Sequence, residues 1–201
     1  MARFIERHPD ALVLTGAGIS TASGIPDYRD ADGVRRGRAP IQGPDFRSTA
    51  AVRQRYWARS MAGWPVMQHA RPNAGHAALA RMQAHGLLGP IITQNVDGLH
   101  QRAGSDGVLE LHGSIHAVIC LACGDRQPRA AVQQQLETLN PRFAGASAQP
   151  APDGDAHVEP DSLDGFQVPA CLHCDGMLQP DVVFFIQVGH DEAGCARRCA
   201  G

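Results

Sequence analysis

The sequence contains no lysine, because all 18 of its basic residues are arginine. The chain therefore has no lysine of its own that could be modified. Its net charge is only −2, which argues against nucleic acid or an anionic membrane surface as an obligatory partner. Long apolar runs are also missing, and none approaches the roughly 20 residues that cross a bilayer. We therefore expect a cytoplasmic protein whose partners include neither nucleic acid nor a membrane.

The length and the cysteines narrow the class of protein. A chain of 201 residues with 43% hydrophobic content can bury the core of one domain with a small insertion. Four of its six cysteines form two CxxC pairs, Cys120/Cys123 and Cys171/Cys174. Without a signal peptide, this spacing favours reduced thiolates over disulfides.

Four thiolates can hold one zinc ion tetrahedrally, which leaves no open position for water. The sequence therefore predicts a structural zinc site at these cysteines. Redox activity of the CxxC pairs is the main alternative. His116 and His173 are also close to the cysteines in sequence and could compete as ligands.

Apolar runs that end at polar or glycine residues predict the strands of a parallel sheet. Ala11 to Thr15 ends at the glycine turn Gly16–Ser20, which can bring backbone amides against a pyrophosphate. Such turns are common, so this one alone is a weak indication of nucleotide binding. Gly89 to Thr93 is a second such run, and Val108 to Leu111 is a third.

The residues that follow these runs form the predicted site. Gln94, Asn95 and Asp97 follow the second run, and His112 follows the third. Open α/β sheets bind ligands at the carboxyl ends of their strands, so we expect these residues to meet the glycine turn. A lone histidine is often only a hydrogen-bonded structural residue, and that alternative stays open for His112.

Two longer helices, a helical piece over Ala130 to Leu139 and two loops complete the predicted organisation. Helical periodicity predicts a helix over Thr49 to Ala62 and another over Asn73 to Leu88, with Asn73 as its N-cap and Gly86 near its end. The buried stripe of the first would consist of Val52, Tyr56, Trp57 and Met61. Residues 24–40 and 145–164 are predicted loops.

Six motifs occur in an order that resembles the sirtuin family. They are GAGIS at 16–20, GIPDYR at 24–29, TQNVD at 93–97, LHG at 111–113, the two CxxC pairs and PDVVFF at 180–185. The resemblance extends from about Ala11 to Phe185. Further segments resemble the class II branch, which includes mitochondrial sirtuins with lipoamidase or ADP-ribosyl transfer activity.

The resemblance implies an α/β fold in which a small zinc-binding module is inserted into a Rossmann-like, NAD-binding parallel sheet. The sheet would be incomplete at the C-terminus. Residues 1–115 and 178–185 would form the NAD-binding domain, with a cofactor-binding loop at 24–40 and a helical segment at 41–72. Residues 116–177 would form the zinc-binding module, and 186–201 an aberrant tail.

The implied activity is that of an NAD-dependent protein lysine deacetylase or deacylase. Such an enzyme transfers the acyl group from lysine to ADP-ribose and releases nicotinamide, through a transition state with positive charge on the ribose. ADP-ribosyl transfer would be a further activity. The expected partners are NAD, an acyl-lysine protein and one structural Zn²⁺.

The resemblance also implies roles for individual residues. His112 would be the general base for a ribose hydroxyl, while Asn95 and Asp97 would orient the ribose, the catalytic water and the nicotinamide amide. Val183 and Phe184 would line the acyl-lysine channel. The full set of expected NAD contacts is Gly16, Ala17, Gly18, Ile19, Ser20, Asp27, Tyr28, Arg29, Gln94, Asn95, Val96 and Asp97.

After Phe185 the sequence departs from the family. The segment 186–201 contains no apolar strand, and it carries two further cysteines, Cys195 and Cys199. We interpret it as the result of a frameshift or a premature stop, and a sequencing error would produce the same text. If this ending is genuine, we expect an uncovered sheet face, marginal stability and poor NAD binding. The alternative function is then a catalytically inactive remnant that acts only as a zinc-binding fold.

Overall fold

The computed structural model describes residues 2–8, 10–29, 32–34, 41–145 and 163–184. The predicted tail 186–201, most of the loop 145–164 and much of the loop 24–40 lie outside these residues. Within them, the helices are α1 (Ala2–Arg7), α2 (Gly43–Ser48), α3 (Ala50–His69), α4 (Ala74–Ala84), α5 (Leu99–Arg102) and α6 (Arg129–Leu139). The strands are β1 (Val13–Thr15), β2 (Ile91–Thr93), β3 (Leu109–Glu110), β4 (Gly113–Cys120), β5 (Arg126–Pro128) and β6 (Leu178–Val182). Two 3₁₀ helices, Ala17–Ser23 and Pro141–Phe143, are also present.

Strands β1, β2 and β3 form a parallel sheet in that order. Thr15 lies opposite Thr93, and Thr93 lies opposite Glu110, so the three strands end at the same edge. The prediction of an α/β fold with a parallel sheet is therefore confirmed. On one face of this sheet, Leu14 is 62% exposed and Leu109 is 44% exposed. Parallel sheets are usually covered on both faces, so this exposed face is unusual.

Strands β5, β4 and β6 form a second, antiparallel sheet that carries the paired cysteines. Gly113 opens β4 with a φ of 77°, and a Cβ at this position would collide with the carbonyl oxygen of Asp181. Glycine is required there both by the backbone conformation and by the close approach of β6. Strand β6, which we assigned to the NAD-binding domain, pairs with β4 and so leads back from the cysteines towards the parallel sheet.

Helix α3 is longer than predicted, because it continues through Pro65 to His69. A proline within a helix donates no hydrogen bond, so the carbonyl four residues earlier, that of Met61, loses its partner. Helix α6 supplies a replacement, since Gln133 Nε2 donates to the Met61 carbonyl oxygen at 3.1 Å. One turn earlier on α6, Arg129 Nη2 donates to the carbonyl oxygen of Ser60 at 3.1 Å. The sequence of α3 alone could not reveal this support from α6.

Arg129 is unusual for a charged residue because it is only 1% exposed. Its guanidinium lies 4.8 Å from the ring centroid of Trp64 and 5.6 Å from that of Trp57. Burial lowers the pKa of Arg129 to about 10, which leaves it charged at neutral pH. The two aromatic faces and the Ser60 contacts therefore hold a buried cation between α3 and α6.

The larger hydrophobic core lies between α3, α6 and the antiparallel sheet. It includes Phe46, Trp57, Val118 and Leu136. Of the predicted stripe on α3, Tyr56, Trp57 and Met61 are buried, whereas Val52 is only half-buried. The core thus joins the helical segment to the cysteine-bearing sheet.

Helix α4 has the predicted N-cap. The Asn73 side chain accepts hydrogen bonds from the backbone N–H groups of Gly75 and His76, at 2.8 and 3.4 Å. Its amide Nδ2 donates to the carbonyl oxygen of Ile19 at 2.7 Å. The cap therefore fixes the start of α4 against the turn that follows β1.

Candidate active site and metal centre

The carboxyl edge of the parallel sheet brings together the segments that the sequence predicted to meet. The backbone N–H of Gln94 donates to the carbonyl oxygen of Thr15 at 3.0 Å. The backbone N–H of Leu111 donates to the carbonyl oxygen of Thr93 at 2.9 Å. These bonds carry the strand register one residue beyond the sheet, so the residues after β1, β2 and β3 are held side by side.

A chain of side-chain hydrogen bonds links the turn after β1 to the segment after β2. Asn95 Nδ2 donates to the carbonyl oxygen of Gly16 and to Ser20 Oγ, both at 3.1 Å. Ser20 Oγ in turn donates to Asp97 Oδ2 at 2.6 Å. The other oxygen of Asp97 accepts the backbone N–H of Leu99 at 2.9 Å. Asn95, Ser20 and Asp97 are all buried, so this chain is well shielded from water.

His112 is oriented by its own backbone neighbours. Its Nδ1 lies 2.8 Å from the carbonyl oxygen of Gln94, and only a protonated Nδ1 can donate to that acceptor. In the neutral ring, Nε2 then carries no proton and is free to accept one. The backbone carbonyl of His112 accepts the N–H of Val183 at 2.9 Å, which places Val183 beside the histidine.

His116 also stabilises this site, although it follows the proposed catalytic His112 by four residues. Its Nε2 donates to the backbone carbonyl oxygen of Asp97 at 2.8 Å, and its ring lies 5.4 Å from that of Trp64. Gly98 has a φ of 65°, and a Cβ there would lie 3.4 Å from His116 Cδ2. From the sequence we considered His116 only as a rival zinc ligand, and this supporting role was missed.

The glycine turn leaves room for a ligand at its exposed part. A Cβ on Gly18 would meet no atom within 4 Å, whereas one on Gly16 would lie 3.7 Å from Gln94 Oε1. The residues Ala17–Ser23 form a 3₁₀ helix, and Gly24 ends it with a φ of 85°. The open space beside Gly18 and the polar side chains of Asn95 and Asp97 fit the phosphate and ribose parts of NAD.

The remaining predicted contacts differ in their surroundings. Ile25 is buried with Leu99, and the predicted contacts Asp27, Tyr28 and Arg29 follow it in the chain. Arg29 Nη1 donates to the carbonyl oxygen of Gly33 at 2.8 Å. The Phe184 ring lies 5.1 Å from that of Phe46 and is buried in the larger core. Of the two predicted channel residues, Val183 therefore lies beside His112, whereas Phe184 is a core residue.

The four cysteines of the CxxC pairs converge on one point. Their Sγ atoms all lie within 4.8 Å of one another. The Cys120–Cys174 and Cys123–Cys171 sulfur distances are 3.6 and 3.8 Å. A tetrahedron with Zn–S bonds of about 2.3 Å has edges of about 3.8 Å, so the sulfurs fit one zinc ion.

Local contacts favour the four-sulfur set over the alternatives. His173 Nε2 lies 3.6 Å from Asp125 Oδ2, and His116 contacts Asp97, so both histidines are engaged elsewhere. The backbone N–H of Cys123 is the main cause that lowers the pKa of Cys120 to about 6, whereas the Cys123 thiol is the main cause that raises the pKa of Cys174 to about 12, so ionising all four thiols together requires a cation among them. A Cβ on Gly176 would lie 2.7 Å from Cys120 Sγ, so this glycine makes the convergence possible.

Three comparisons with known proteins agree with this geometry. Residues 16–193 match the family model described as "Sir2 family". The chain is 56% identical over 175 residues to the NAD-dependent protein deacetylase 3 of Pseudomonas syringae pv. tomato, covering 87% of this chain and 62% of that protein. It is 48% identical over 188 residues to the mitochondrial NAD-dependent protein lipoamidase sirtuin-4 of Bos taurus, covering 92% and 60%.

Solved structures give the same result. The structure "Sir2-p53 peptide-NAD+" matches with a TM-score of 0.65 and 28% identity, covering 92% of this chain and 62% of that one. The chain thus spans about three fifths of the length of the relatives that it matches. Within the described ranges, no helix combines the length and the apolar character that crossing a membrane requires.

Proposed function

Because the chain belongs to the Sir2 family, we propose that it is an NAD-dependent protein lysine deacylase. It transfers the acyl group of a modified lysine to ADP-ribose and releases nicotinamide, and ADP-ribosyl transfer is a second activity of the same site. Relatives with this type of printed name support the proposal, as does the fit of the carboxyl edge to NAD. The partners are NAD and an acyl-lysine protein.

The observation that carries the proposal is the hydrogen bond from His112 Nδ1 to the carbonyl oxygen of Gln94. It leaves Nε2 as a proton acceptor at the partly exposed end of the site. Bound NAD would supply a ribose carbon that becomes electrophilic as its bond to nicotinamide breaks, and the acyl oxygen of the modified lysine would form the new bond to that carbon. His112 would then remove the proton of a ribose hydroxyl within hydrogen-bond reach, so that this hydroxyl oxygen attacks the acyl carbon.

The other residues of the site bind and orient. Asn95 and Asp97, held by Ser20, present fixed polar groups to the ribose and the nicotinamide amide. Fixed dipoles of this kind stabilise the developing charge without reorganising during the reaction. The turn Gly16–Ser20 accommodates the pyrophosphate, Gln94 and Val96 contact the cofactor, and Asp27 to Arg29 begin the loop that closes over it.

We also propose the division of the chain that the sequence predicted. The parallel sheet lies within residues 1–115, and the four cysteines lie within 116–177, where they hold one structural zinc. Strand β4 crosses from the first unit into the second, and β6, which belongs to the NAD-binding unit, pairs with it. We propose a cytoplasmic location, and the four thiols without disulfides support it.

The alternative function, a catalytically inactive remnant that only binds zinc, is not favoured by the comparisons. Identities of about one half to proteins named deacetylases extend across the proposed catalytic residues. A remnant would nevertheless have the same zinc content as the enzyme. Only an activity measurement on the folded chain separates the two.

The experiment measures nicotinamide release from NAD in the presence and absence of an acyl-lysine peptide. We expect peptide-dependent release by the wild-type chain and none above background by His112→Tyr. His85→Tyr is the matched control, because His85 is exposed at the end of α4, and it should retain full release. If the zinc-loaded, cooperatively folded wild type releases no nicotinamide, the remnant function replaces the enzyme.

A further inference from the structure

Two histidines outside the proposed catalytic set are almost completely buried beneath it. His76 on α4 is 0% exposed, and His100 on α5 is 1% exposed. Their rings meet edge to face, with centroids 4.9 Å apart. Fully buried histidine pairs are uncommon, and buried polar groups ordinarily have hydrogen-bond partners.

The hydrogen bonds of His100 determine where its proton lies. Thr15 Oγ1 donates its only hydrogen to Thr93 Oγ1 at 2.9 Å. His100 Nε2 lies 2.9 Å from the same Thr15 oxygen and must therefore be the donor. A neutral His100 then has an unprotonated Nδ1, and this buried atom has no partner among the described residues.

The hydrogen bonds of His76 give the complementary result. The backbone N–H of Asn73 donates to His76 Nδ1 at 3.3 Å, so Nδ1 is unprotonated. The proton of neutral His76 must then lie on Nε2, which is also buried and without a partner within the described ranges. One ring thus has an unused donor and the other an unused acceptor. A direct bond or a single buried water can join the two rings and satisfy both atoms.

The chain of bonds ends at a proposed catalytic residue. Thr93 Oγ1, which accepts from Thr15, also accepts the backbone N–H of Asn95 at 3.1 Å. The hydrogen bonds therefore lead from His100 through the two threonines to the backbone of Asn95. His76, which is bonded to the cap of α4, meets His100 through the ring contact. The side chain of Asn95 then continues to Ser20 and Asp97.

We propose that His76, His100, Thr15 and Thr93 form a buried hydrogen-bond chain of fixed proton order, and that His100 is a positioning residue for Asn95. Neither histidine belongs to the proposed catalytic set. Each donor in this hydrogen-bond chain fixes which atom of the next group must accept. The hydrogen-bond chain therefore holds the backbone of Asn95 in one position. The catalytic consequence rests on the proposed function, whereas the proton order does not.

Burial supports the neutral state that this order requires. Burial is the main cause that lowers the pKa of His76 and of His100, and the neighbouring His76 further lowers that of His100. Asp97 acts in the opposite direction on both rings. The geometry of the four hydrogen-bonded side chains remains the basis of the proposal.

The first test is NMR of the full chain with ¹⁵N-labelled histidine. His76 and His100 should both be neutral at pH ~7 and carry their proton on Nε2. His112 provides an internal contrast, because its proton is expected on Nδ1. Signals are assigned by single substitutions. A proton on Nδ1 of His100, or a charged His100 at this pH, would overturn the proposal, whether or not the chain is active.

The second test interrupts the proposed hydrogen-bond chain at Thr15. Thr15→Val keeps the shape of the side chain and removes its hydroxyl, while Thr15→Ser restores the hydroxyl. We expect Thr15→Val to lower kcat about tenfold with the KM for NAD changed less than about twofold, because small misplacements of reacting groups act mainly on the chemical step. Thr15→Ser should recover most of the loss. Thr138→Val is the control, since Thr138 is exposed on α6.

Two results separate the proposal from the function on which it rests. If the wild type is inactive, the rate at which the Asn95 backbone amide exchanges with solvent still reports on the hydrogen-bond chain. Thr15→Val should increase this exchange rate about tenfold. If the wild type is active, and Thr15→Val changes neither kcat nor this exchange rate, Asn95 is not positioned through the chain. A change in KM alone also contradicts the proposal.

Discussion

The two sheets of this molecule hold functional groups in different ways. At the edge of the parallel sheet, side chains from β1, β2 and α5 are held by a network of buried hydrogen bonds. In the antiparallel sheet, four cysteines from the end of β4 and two distant turns converge on one point, where their thiolates would repel one another without a metal ion. The first arrangement can exist without a ligand, whereas the second depends on one.

This difference has a consequence for mutation. A hydrogen-bond network loses part of its order when one member is removed, because the others keep their partners. A tetrahedral metal site with one ligand replaced loses the metal and, with it, the connection between both turns. Substitutions in the cysteine region should therefore affect folding, while substitutions at the parallel sheet should affect rate.

The largest effect is expected for the cysteine region. Cys171→Ser should abolish stoichiometric zinc binding and unfold the antiparallel sheet, because structural zinc contributes on the order of 10 kcal/mol in small zinc domains. The measurements are the zinc-to-protein ratio and the thermal unfolding transition. Cys199→Ser is the control and should keep about one zinc per chain. A ratio far below one in the wild type would reject the four-thiolate site.

The contact between helices α3 and α6 should show the next largest effect. Gln133→Leu leaves the Met61 carbonyl without a donor and should lower the free energy of unfolding by about 2 kcal/mol. In a Pro65→Ala background the helix can supply its own N–H to Met61, so the same substitution should cost less than about 1 kcal/mol. Urea unfolding of the four proteins gives the coupling. Equal costs in both backgrounds would mean that Gln133 does not compensate for Pro65.

At the parallel sheet the expected effect is on rate. Ser20→Ala removes the link between Asn95 and Asp97 and should reduce nicotinamide release about tenfold, with unchanged zinc content. Ser48→Ala is the matched control, because Ser48 is exposed and its Oγ donates to the nearby carbonyl oxygen of Pro44. Loss of zinc in Ser20→Ala would show that the two regions are not separable.

The smallest effect is a pH dependence of stability. Burial lowers the folded-state pKa of His76 and His100 below their ordinary 6.5. Between the unfolded and the folded pKa the unfolded chain binds more protons, so stability falls as the pH drops below about 6.5 and is retained above it. We expect a lower Tm at pH ~5.5 than at ~7.5, and a weaker pH dependence in His76→Asn. His85→Asn should keep the wild-type dependence.

The sequence was sufficient for features that depend on spacing along the chain. The CxxC spacing predicted the cysteine cluster, and the apolar runs predicted that the residues after β1, β2 and β3 would meet. The N-cap at Asn73 was also predicted correctly. In each case a local pattern carries the structural information.

Features that depend on contacts between distant segments could not be predicted in this way. The prediction that α3 would end at Ala62 was wrong, because the partner that compensates for Pro65 lies on α6. The burial of His76 and His100 follows from the packing of α4 on α5, although His100 lies within the same polar run as Asp97. Phe184 was assigned to the acyl-lysine channel from the family resemblance, which does not reveal its contact with Phe46 in the larger core.

The proline in α3 has a consequence for building chimeras within this family. Its tolerance depends on Gln133, which is more than sixty residues away along the chain. Transplanting α3 into a relative whose α6 lacks this side chain would introduce a helix with an unpaired carbonyl. Crossover points for recombination should therefore be chosen so that α3 and α6 come from the same parent, even when the residues between them come from the other parent.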